Sequence, residues 1–203
     1  MTLLTLPLKV NLDRVQFTDE QFYQLCLSNP ELTIERDAEG RLIVMSPVGG
    51  DSGSREMDLG GEVYIWNRQT QLGKVFSSST LFKLPGGGSR SPDVAWVELS
   101  RWGALTPEQR QKFPPIAPDF VIELREAKLS RRESRSDNLQ TLQDKMMEYL
   151  QSGVRLGWLF NPQNQQVEIY RQGQPKEVRS LPTQLSGEDV LPGFVLEVPL
   201  FTD

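Results

Sequence analysis

Apolar and polar positions repeat along the chain with two periods, and each period predicts one type of element. Short apolar or alternating runs favour β-strands, whereas apolar residues at helical spacing favour amphipathic helices. The predicted strands are 32–35, 41–45, 74–82, 91–97, 120–124, 154–160, a solvent-facing 166–171, and one or two short strands within 185–200. The predicted helices are 18–29, 54–71, a short one that begins at 106, and one that includes 139–149.

The segment 117–158 carries the strongest pattern. Residues 120–124 form a buried apolar run, and a helix with Leu142, Met146 and Tyr149 on its apolar face follows. Gly153 is a plausible helix end before the next apolar strand. This order predicts a βαβ unit whose two strands are parallel neighbours.

Two carboxylates occupy unusual positions in this pattern. Glu123 lies inside the buried run, and Asp93 lies at the entrance of the earlier strand. Burying a carboxylate costs several kcal/mol unless it is paired, protonated or bound to a cation. Two such acids on successive strands, with Lys145 on the next helix, could form a metal site with a general base or a charge stabiliser beside it. The structural alternative is a capped strand end plus a buried acid that is paired with Arg125 or Lys145.

The histidine and cysteine content of the chain excludes several types of catalytic site and metal site. The 203 residues include no histidine, which excludes Ser-His-Asp and Cys-His catalysis and His-based zinc sites. Cys26 is the only cysteine, so no internal disulfide can form, which fits a reducing cytoplasm. A metal would therefore be bound by oxygen ligands, which favours Mg²⁺, Mn²⁺ or Ca²⁺.

The formal charge of −5 argues against strong non-specific binding to nucleic acid. A local basic face is still compatible with the sequence, because residues 125–135 concentrate arginine and lysine; a solvated linker is the alternative for this segment. No apolar run reaches the roughly 18 residues that a membrane span requires. The three glycines of 86–88 lack the lysine and following helix of a phosphate loop, so they predict a hairpin turn.

Several motifs follow one another in a defined order along the chain: Met-Ser-Pro at 45–47 with Gly49 and Gly50, Ser-Pro-Asp at 91–93, Val-Ile-Glu-Leu-Arg at 121–125, and the segments 137–145, 153–158 and 185–194. This ordered set resembles the Uma-two (Uma2) family, which comprises bacterial restriction-endonuclease-like proteins of the PD-(D/E)xK nuclease superfamily. The resemblance extends over about 30–197.

This resemblance implies an α/β fold with a restriction-endonuclease-like core, in which helices flank a mixed central β-sheet. It implies a metal-dependent DNA endonuclease in which Asp93 and Glu123 bind Mg²⁺ or Mn²⁺. In the superfamily a catalytic lysine lies two residues after the acid on the same strand. In this sequence Arg125 occupies that position. The family takes its lysine from the following helix, where Lys145 matches, and we assign Lys145 as catalytic.

Several assignments are less specific. Arg125 and Lys128 are candidate phosphate or DNA contacts. Glu126-Ala127-Lys128 is an alternative match to the acid-x-lysine motif, in which Glu126 would be the acid and Lys128 the catalytic lysine. The candidate accessory acids are Glu35, Asp51 and Glu56; by strand alternation Glu35 is expected to face solvent, and the other two to be capping or surface acids. Because Arg125 replaces the lysine and the loop at 126–135 departs from the family pattern, the alternative function is a catalytically inactive nuclease-fold module that binds DNA or protein.

For the whole chain we expect a single domain over 1–203, with an N-terminal arm and helix at 1–29 and a core at about 30–200. We expect a cytoplasmic bacterial protein that acts on DNA and forms a homodimer. The Asp93 and Glu123 carboxylates should lie about 4–6 Å apart, within reach of one ion. Lys145 should be partly exposed, with its ammonium at the edge of the same cleft.

Overall fold

The computed structural model describes residues 8–12, 15, 17–125 and 139–201. Its strands are β1 (Leu8–Val10), β2 (Ile34–Arg36), β3 (Leu42–Val44), β4 (Gly73–Ser77), β5 (Phe82–Lys83), β6 (Ser89–Arg90), β7 (Val94–Glu98), β8 (Phe120–Leu124), β9 (Leu156–Asn161), β10 (Gln166–Arg171), β11 (Glu177–Ser180), β12 (Thr183–Ser186) and β13 (Val195–Val198). Its α-helices are α1 (Asp19–Ser28), α2 (Gly50–Thr70), α3 (Leu99–Gly103), α4 (Pro107–Gln111) and α5 (Leu139–Gln151).

The central sheet has six strands in the order β11-β10-β9-β8-β7-β4. Strands β8 and β9 are parallel, and the other neighbouring pairs are antiparallel. The chain passes from β8 to β9 through α5, so the predicted βαβ unit is confirmed. Gly153 ends the connection with a φ of 106°, a conformation that glycine adopts without strain.

Side chains from both faces of this sheet are buried. On one face Phe120 and Ile122 pack with residues of α2 and of the β12–β13 hairpin. On the other face Val121 packs with Met146 and Tyr149 of α5. Helices therefore flank a mixed sheet on both sides, as predicted for the fold class.

A second sheet has five strands in the order β1-β3-β2-β6-β5, with antiparallel neighbours throughout. The β5–β6 pair is the hairpin expected around the three glycines. Phe22 of α1 packs beneath this sheet with Ile34, Leu42 and Leu81. The sheet matters for function because β2 and β6 bring charged side chains to the junction with the central sheet.

The single strand predicted at 74–82 is wrong. The structure has two strands there, β4 in the central sheet and β5 in the second sheet, separated by a turn in which the Thr80 amide donates to the Ser77 carbonyl at 2.9 Å. Ser78, Ser79 and Thr80 occupy this turn, and their hydroxyls favour turn conformations over strands. The chain thereby crosses from one sheet to the other within a few residues.

Two further expectations need correction. Helix α2 begins at Gly50 rather than at 54, because the chain is already helical where the Gly53 amide donates to the Gly49 carbonyl at 3.0 Å. Strand β10 does not face solvent: β9 and β11 pair with its two edges, and its interior positions are buried. Glu168 on this strand is accommodated by hydrogen bonds from Tyr170, Gln143 and Lys176.

Candidate active site

Asp93 and Glu123 face each other across two neighbouring strands. Val94 of β7 pairs with Ile122 of β8 in an antiparallel register, which places Asp93 opposite Glu123 one position further along. Directly opposite residues in such a pair have Cβ atoms about 4.5–5.5 Å apart on the same face. That face is the one covered by α5, because Ala95 and Val121, two residues from each acid, pack there. The two carboxylates therefore line one cavity.

Lys145 of α5 lines the same cavity and contacts Glu123. Its Nζ lies 2.8 Å from Glu123 Oε1 and 3.0 Å from Glu35 Oε1, and it donates to the Ser91 carbonyl at 3.1 Å. Three acceptors match the three N–H donors of an ammonium group. The expectation of a partly exposed lysine is wrong, since only 7% of Lys145 is accessible to solvent.

Glu35 is a member of the same cluster. Its Oε1 accepts a hydrogen bond from the Ser91 amide at 2.9 Å as well as the Lys145 contact, and its Oε2 accepts from Arg90 Nη1 at 3.0 Å. The expectation that Glu35 faces solvent is wrong, because it is 2% exposed. The Glu35 side chain contacts Arg90 of β6, the Ser91 amide and Lys145 of α5, so the face of β2 that alternation assigns to solvent is covered.

Three residues of the cluster were not anticipated. Arg90 donates to both carboxylate oxygens of Glu148, with Nε at 3.1–3.2 Å and Nη2 at 2.5 Å, while its Nη1 holds Glu35. The Tyr149 hydroxyl donates to Glu123 Oε1 at 2.8 Å. Glu148 and Tyr149 lie one helical turn beyond Lys145, so the lysine assignment itself is the signal that could have found them. No local signal points to Arg90.

The electrostatics of this cluster are unbalanced. Its members are four carboxylates (Glu35, Asp93, Glu123 and Glu148) and two cations (Arg90 and Lys145), so full ionisation would leave two negative charges in excess. Burial and the neighbouring Glu123 raise the pKa of Asp93 well above its usual value, and burial also raises the pKa of Glu123 and Glu148.

For Glu35 and Lys145, neighbouring groups of opposite charge outweigh the effect of burial on the pKa. Burial opposes the ionisation of Glu35, but Lys145 and Arg90 outweigh it and lower the Glu35 pKa. Burial also acts to lower the pKa of Lys145, yet the Glu123 and Glu35 carboxylates outweigh it and raise that pKa. Lys145 is therefore a fixed positive charge at neutral pH.

The donor set fits a hard divalent cation. Asp93 uses Oδ2 to accept from the Leu124 amide at 2.6 Å, and Glu123 uses Oε1 for Lys145 and Tyr149, so these contacts occupy one oxygen of each carboxylate. Within the described ranges no three acidic or cysteine side chains are placed to hold an ion by themselves. Two carboxylates are sufficient for Mg²⁺, which keeps several of its waters when it binds to proteins.

The cavity lined by Glu35, Arg90, Asp93, Glu123 and Lys145 has a volume of about 540 Å³. Glu56 of α2 also lines it, whereas Asp51 is exposed in the first turn of α2 and does not. Arg125 lies just after β8, where its Nη1 donates to Asn161 Oδ1 at 3.3 Å, and it is not part of the lining. Lys128 and the alternative motif match Glu126-Ala127-Lys128 lie outside the described residues.

A stability prediction follows from the Asp93 environment. An acid whose pKa is raised by folding contributes stability at low pH that is lost as the pH rises through the folded-state pKa. In EDTA, Asp93→Asn should therefore raise the thermal unfolding midpoint at neutral pH. The advantage should shrink as the pH falls toward 3.8, the usual Asp value. Differential scanning calorimetry across this range checks it, with exposed Asp51→Asn as the control; a gain that does not depend on pH would contradict the prediction.

Comparison with known proteins now adds to the geometry. A family model described as "Putative restriction endonuclease" (Uma2) matches residues 19–199. The chain belongs to the Uma2 family. This match covers most of the sequence, including every residue of the charged cluster, and it confirms the resemblance drawn from the ordered motifs.

A solved structure similar to this Uma2 chain is that of a protein from Anabaena variabilis ATCC 29413, described as a putative nuclease belonging to DUF820. The TM-score is 0.65 at 20% sequence identity, with 83% of this chain and 88% of that chain covered. At this identity the likeness establishes a shared fold. A comparison with curated proteins gave no match. No helix in the described part of the chain is long and apolar enough to cross a membrane.

Proposed function

We propose that this Uma2 protein is a metal-dependent endonuclease that hydrolyses phosphodiester bonds in DNA. The observation that carries the proposal is the placement of Asp93 and Glu123 opposite each other on one sheet face, with the Lys145 ammonium 2.8 Å from Glu123. Membership in a family described as restriction endonucleases supports the same reaction class.

Asp93 and Glu123 would hold the divalent ion, Mg²⁺ or Mn²⁺, through the carboxylate oxygens that face the cavity. When bound, the ion supplies Lewis-acid chemistry, lowering the pKa of a water and neutralising charge on the phosphoryl group. Tyr149 fixes the orientation of Glu123 by its hydrogen bond at 2.8 Å. Glu35 accepts from Lys145 and the Ser91 amide, and so holds the lysine against the backbone that leads to Asp93.

Lys145 acts in this proposal as a charge stabiliser and not as a general base. A base must be unprotonated at the working pH, but Glu123 and Glu35 raise the pKa of Lys145 and keep it charged. A buried, immobile ammonium stabilises negative charge on a phosphate more effectively than a solvated one. Arg125 and Lys128 remain our candidates for contacts with the DNA backbone.

The decisive experiment is cleavage of supercoiled plasmid DNA by the wild-type protein in Mg²⁺ or Mn²⁺, with EDTA as the metal-free control. Asp93→Asn should lower the cleavage rate by a factor of about 100 or more. The control is Asp51→Asn. Asp51 is another candidate acid but lies outside the cavity, so this variant should retain full activity. Equal activity of the Asp93→Asn and wild-type proteins would remove Asp93 from the site.

The second candidate function is a catalytically inactive module of nuclease fold that binds DNA or protein. The observation that favours it is the complete use of Lys145 in contacts with Glu35, Glu123 and Ser91, together with Arg125 at the strand position of the usual lysine. Metal binding measured by calorimetry, combined with no nicking or linearisation of plasmid in either metal, would favour this function.

We also propose that the protein acts as a homodimer, because two sites related by a two-fold axis suit cleavage of two antiparallel strands.

A further inference from the structure

Helix α2 has an outward face with an unusual content of apolar side chains. Met57 is 72% exposed, and Tyr64 and Ile65 are each 53% exposed. By their spacing, seven residues lie on this side of the helix, and together they are called the outer α2 face: Ser54, Met57, Asp58, Gly61, Tyr64, Ile65 and Arg68.

The opposite side of α2 already packs on the sheet. Leu59, Val63 and Trp66 are buried there in the main core. A surface helix of a monomer normally carries one apolar stripe and one polar face, so apolar residues on both sides indicate a second contact.

We propose that the outer α2 face is the interface between two copies of this chain, in which two α2 helices pack antiparallel about a two-fold axis near Gly61. In an isologous interface residue i of one copy meets residue j of the other, and j meets i, so the sequence must be self-complementary about the axis. Met57 and Ile65 are equally spaced on either side of Gly61, as are Asp58 and Tyr64. Antiparallel packing therefore brings Met57 of each copy against Tyr64 and Ile65 of the other.

The charges agree with a second copy as the occupant. Asp58 of the outer α2 face lies in the N-terminal half of α2, and Arg68 lies in its last turn. Antiparallel packing places each Arg68 beside the acidic half of the partner helix, and it also opposes the two helix dipoles favourably. A parallel arrangement would place like charges side by side.

Gly61 supplies the close approach. A Cβ at this position would meet nothing within 4 Å in the folded chain, whereas at Gly60 it would contact Val94 at 3.4 Å. A glycine that weakens a helix and has open space outside it fits a position where another backbone comes near.

The test is sedimentation equilibrium of the full chain over the micromolar range. The wild-type protein should dimerise, and both Ile65→Asp and Gly61→Leu should raise the dimer dissociation constant by a factor of about ten or more. Gly61→Leu is the sharper variant, because leucine favours the helix and a Cβ at this position meets nothing within 4 Å in the folded chain. At concentrations where both proteins are monomeric, its thermal midpoint should therefore not fall below that of the wild type. Val178→Asp, at an apolar residue 48% exposed on β11, is the control and should leave dimerisation unchanged.

A cross-linking experiment tests the position of the axis. In a Cys26→Ser background, Gly61→Cys should give a covalent dimer on mild oxidation, whereas Val178→Cys should not. A wild-type protein that stays monomeric, or a dimer that both Ile65→Asp and Gly61→Leu leave intact, would overturn the proposal. It rests on the homodimer expected above, and because assembly is measured without any cleavage assay, its failure leaves the nuclease proposal untouched.

Discussion

Lys145→Met should lower the free energy of unfolding by roughly 3–5 kcal/mol and also abolish Mg²⁺-dependent cleavage. The lysine is 7% exposed and forms ion pairs with Glu123 at 2.8 Å and Glu35 at 3.0 Å. Removing its charge leaves the buried Glu123 carboxylate without a cation and Glu35 with Arg90 as its remaining cation, and an uncompensated buried charge is what makes breaking a buried ion pair costly. This expectation differs from that for a partly exposed lysine, whose removal would leave the fold intact.

Urea denaturation checks the stability change, and plasmid cleavage below the unfolding transition checks the activity. The matched control is Lys74→Met, at an exposed lysine of β4, which should change stability by less than about 0.5 kcal/mol. Adding Glu123→Gln to Lys145→Met should recover part of the lost stability, because the carboxylate that has lost its cation is then replaced by a neutral group.

A second comparison separates the two candidate lysines. Lys128→Ala should reduce cleavage far less than Lys145→Met. If cleavage survives in Lys145→Met and disappears in Lys128→Ala, the catalytic lysine is Lys128 of Glu126-Ala127-Lys128 and not Lys145. A Lys145→Met protein as stable as the wild type would show that the buried ion pairs do not form in solution.

The part of the site that could be predicted from sequence is the part encoded locally. Glu123 lies in a buried strand, and Asp93 begins another such strand. Lys145 belongs to the helix of the βαβ unit, whose handedness and parallel strands restrict where that helix can lie. Short-range patterns together with one topological rule therefore bring these three residues to one region.

Glu35 and Arg90 could not be predicted in the same way. Both belong to the second sheet, and their contacts with α5 depend on how the two sheets pack, which no periodicity within β2 or β6 specifies. Alternation assigned Glu35 to the solvent side, because the rule assumes that only one face of a strand is covered. The burial of Lys145 is a consequence of the same packing, since Glu35 is one of its partners.

The break between β4 and β5 has a related cause. Residues 74–82 carry β-forming side chains on both sides of a serine-rich turn, and local propensity does not indicate that the chain changes sheets there. This change of sheet leads into the β5–β6 hairpin, which delivers Arg90 to the cluster. The residues that sequence reasoning missed therefore depend on a topological step that it also missed.

Arg90→Met should lower the free energy of unfolding by roughly 3–5 kcal/mol and reduce cleavage by a factor of about 10–100. Arg90 is 6% exposed, and its fork of donors holds Glu35 on one side and both oxygens of Glu148 on the other. Without it Glu35 loses one of the contacts that fix its position, and Lys145 in turn is held less firmly. The effect on catalysis is thus transmitted through Glu35 and Lys145, and Arg90 is a positioning residue.

Arg90→Lys distinguishes positioning from simple charge balance. Lysine keeps the positive charge but cannot form the bidentate contact with Glu148 while also reaching Glu35. We expect Arg90→Lys to recover part of the stability and little of the cleavage rate. The control is Arg179→Met, which removes an exposed ion pair with Glu177 and should cost less than about 1 kcal/mol. If Arg90→Lys restores both properties fully, the cluster requires only a cation at this position, and the geometry of the guanidinium group has no role in holding Glu35 and Lys145 in place.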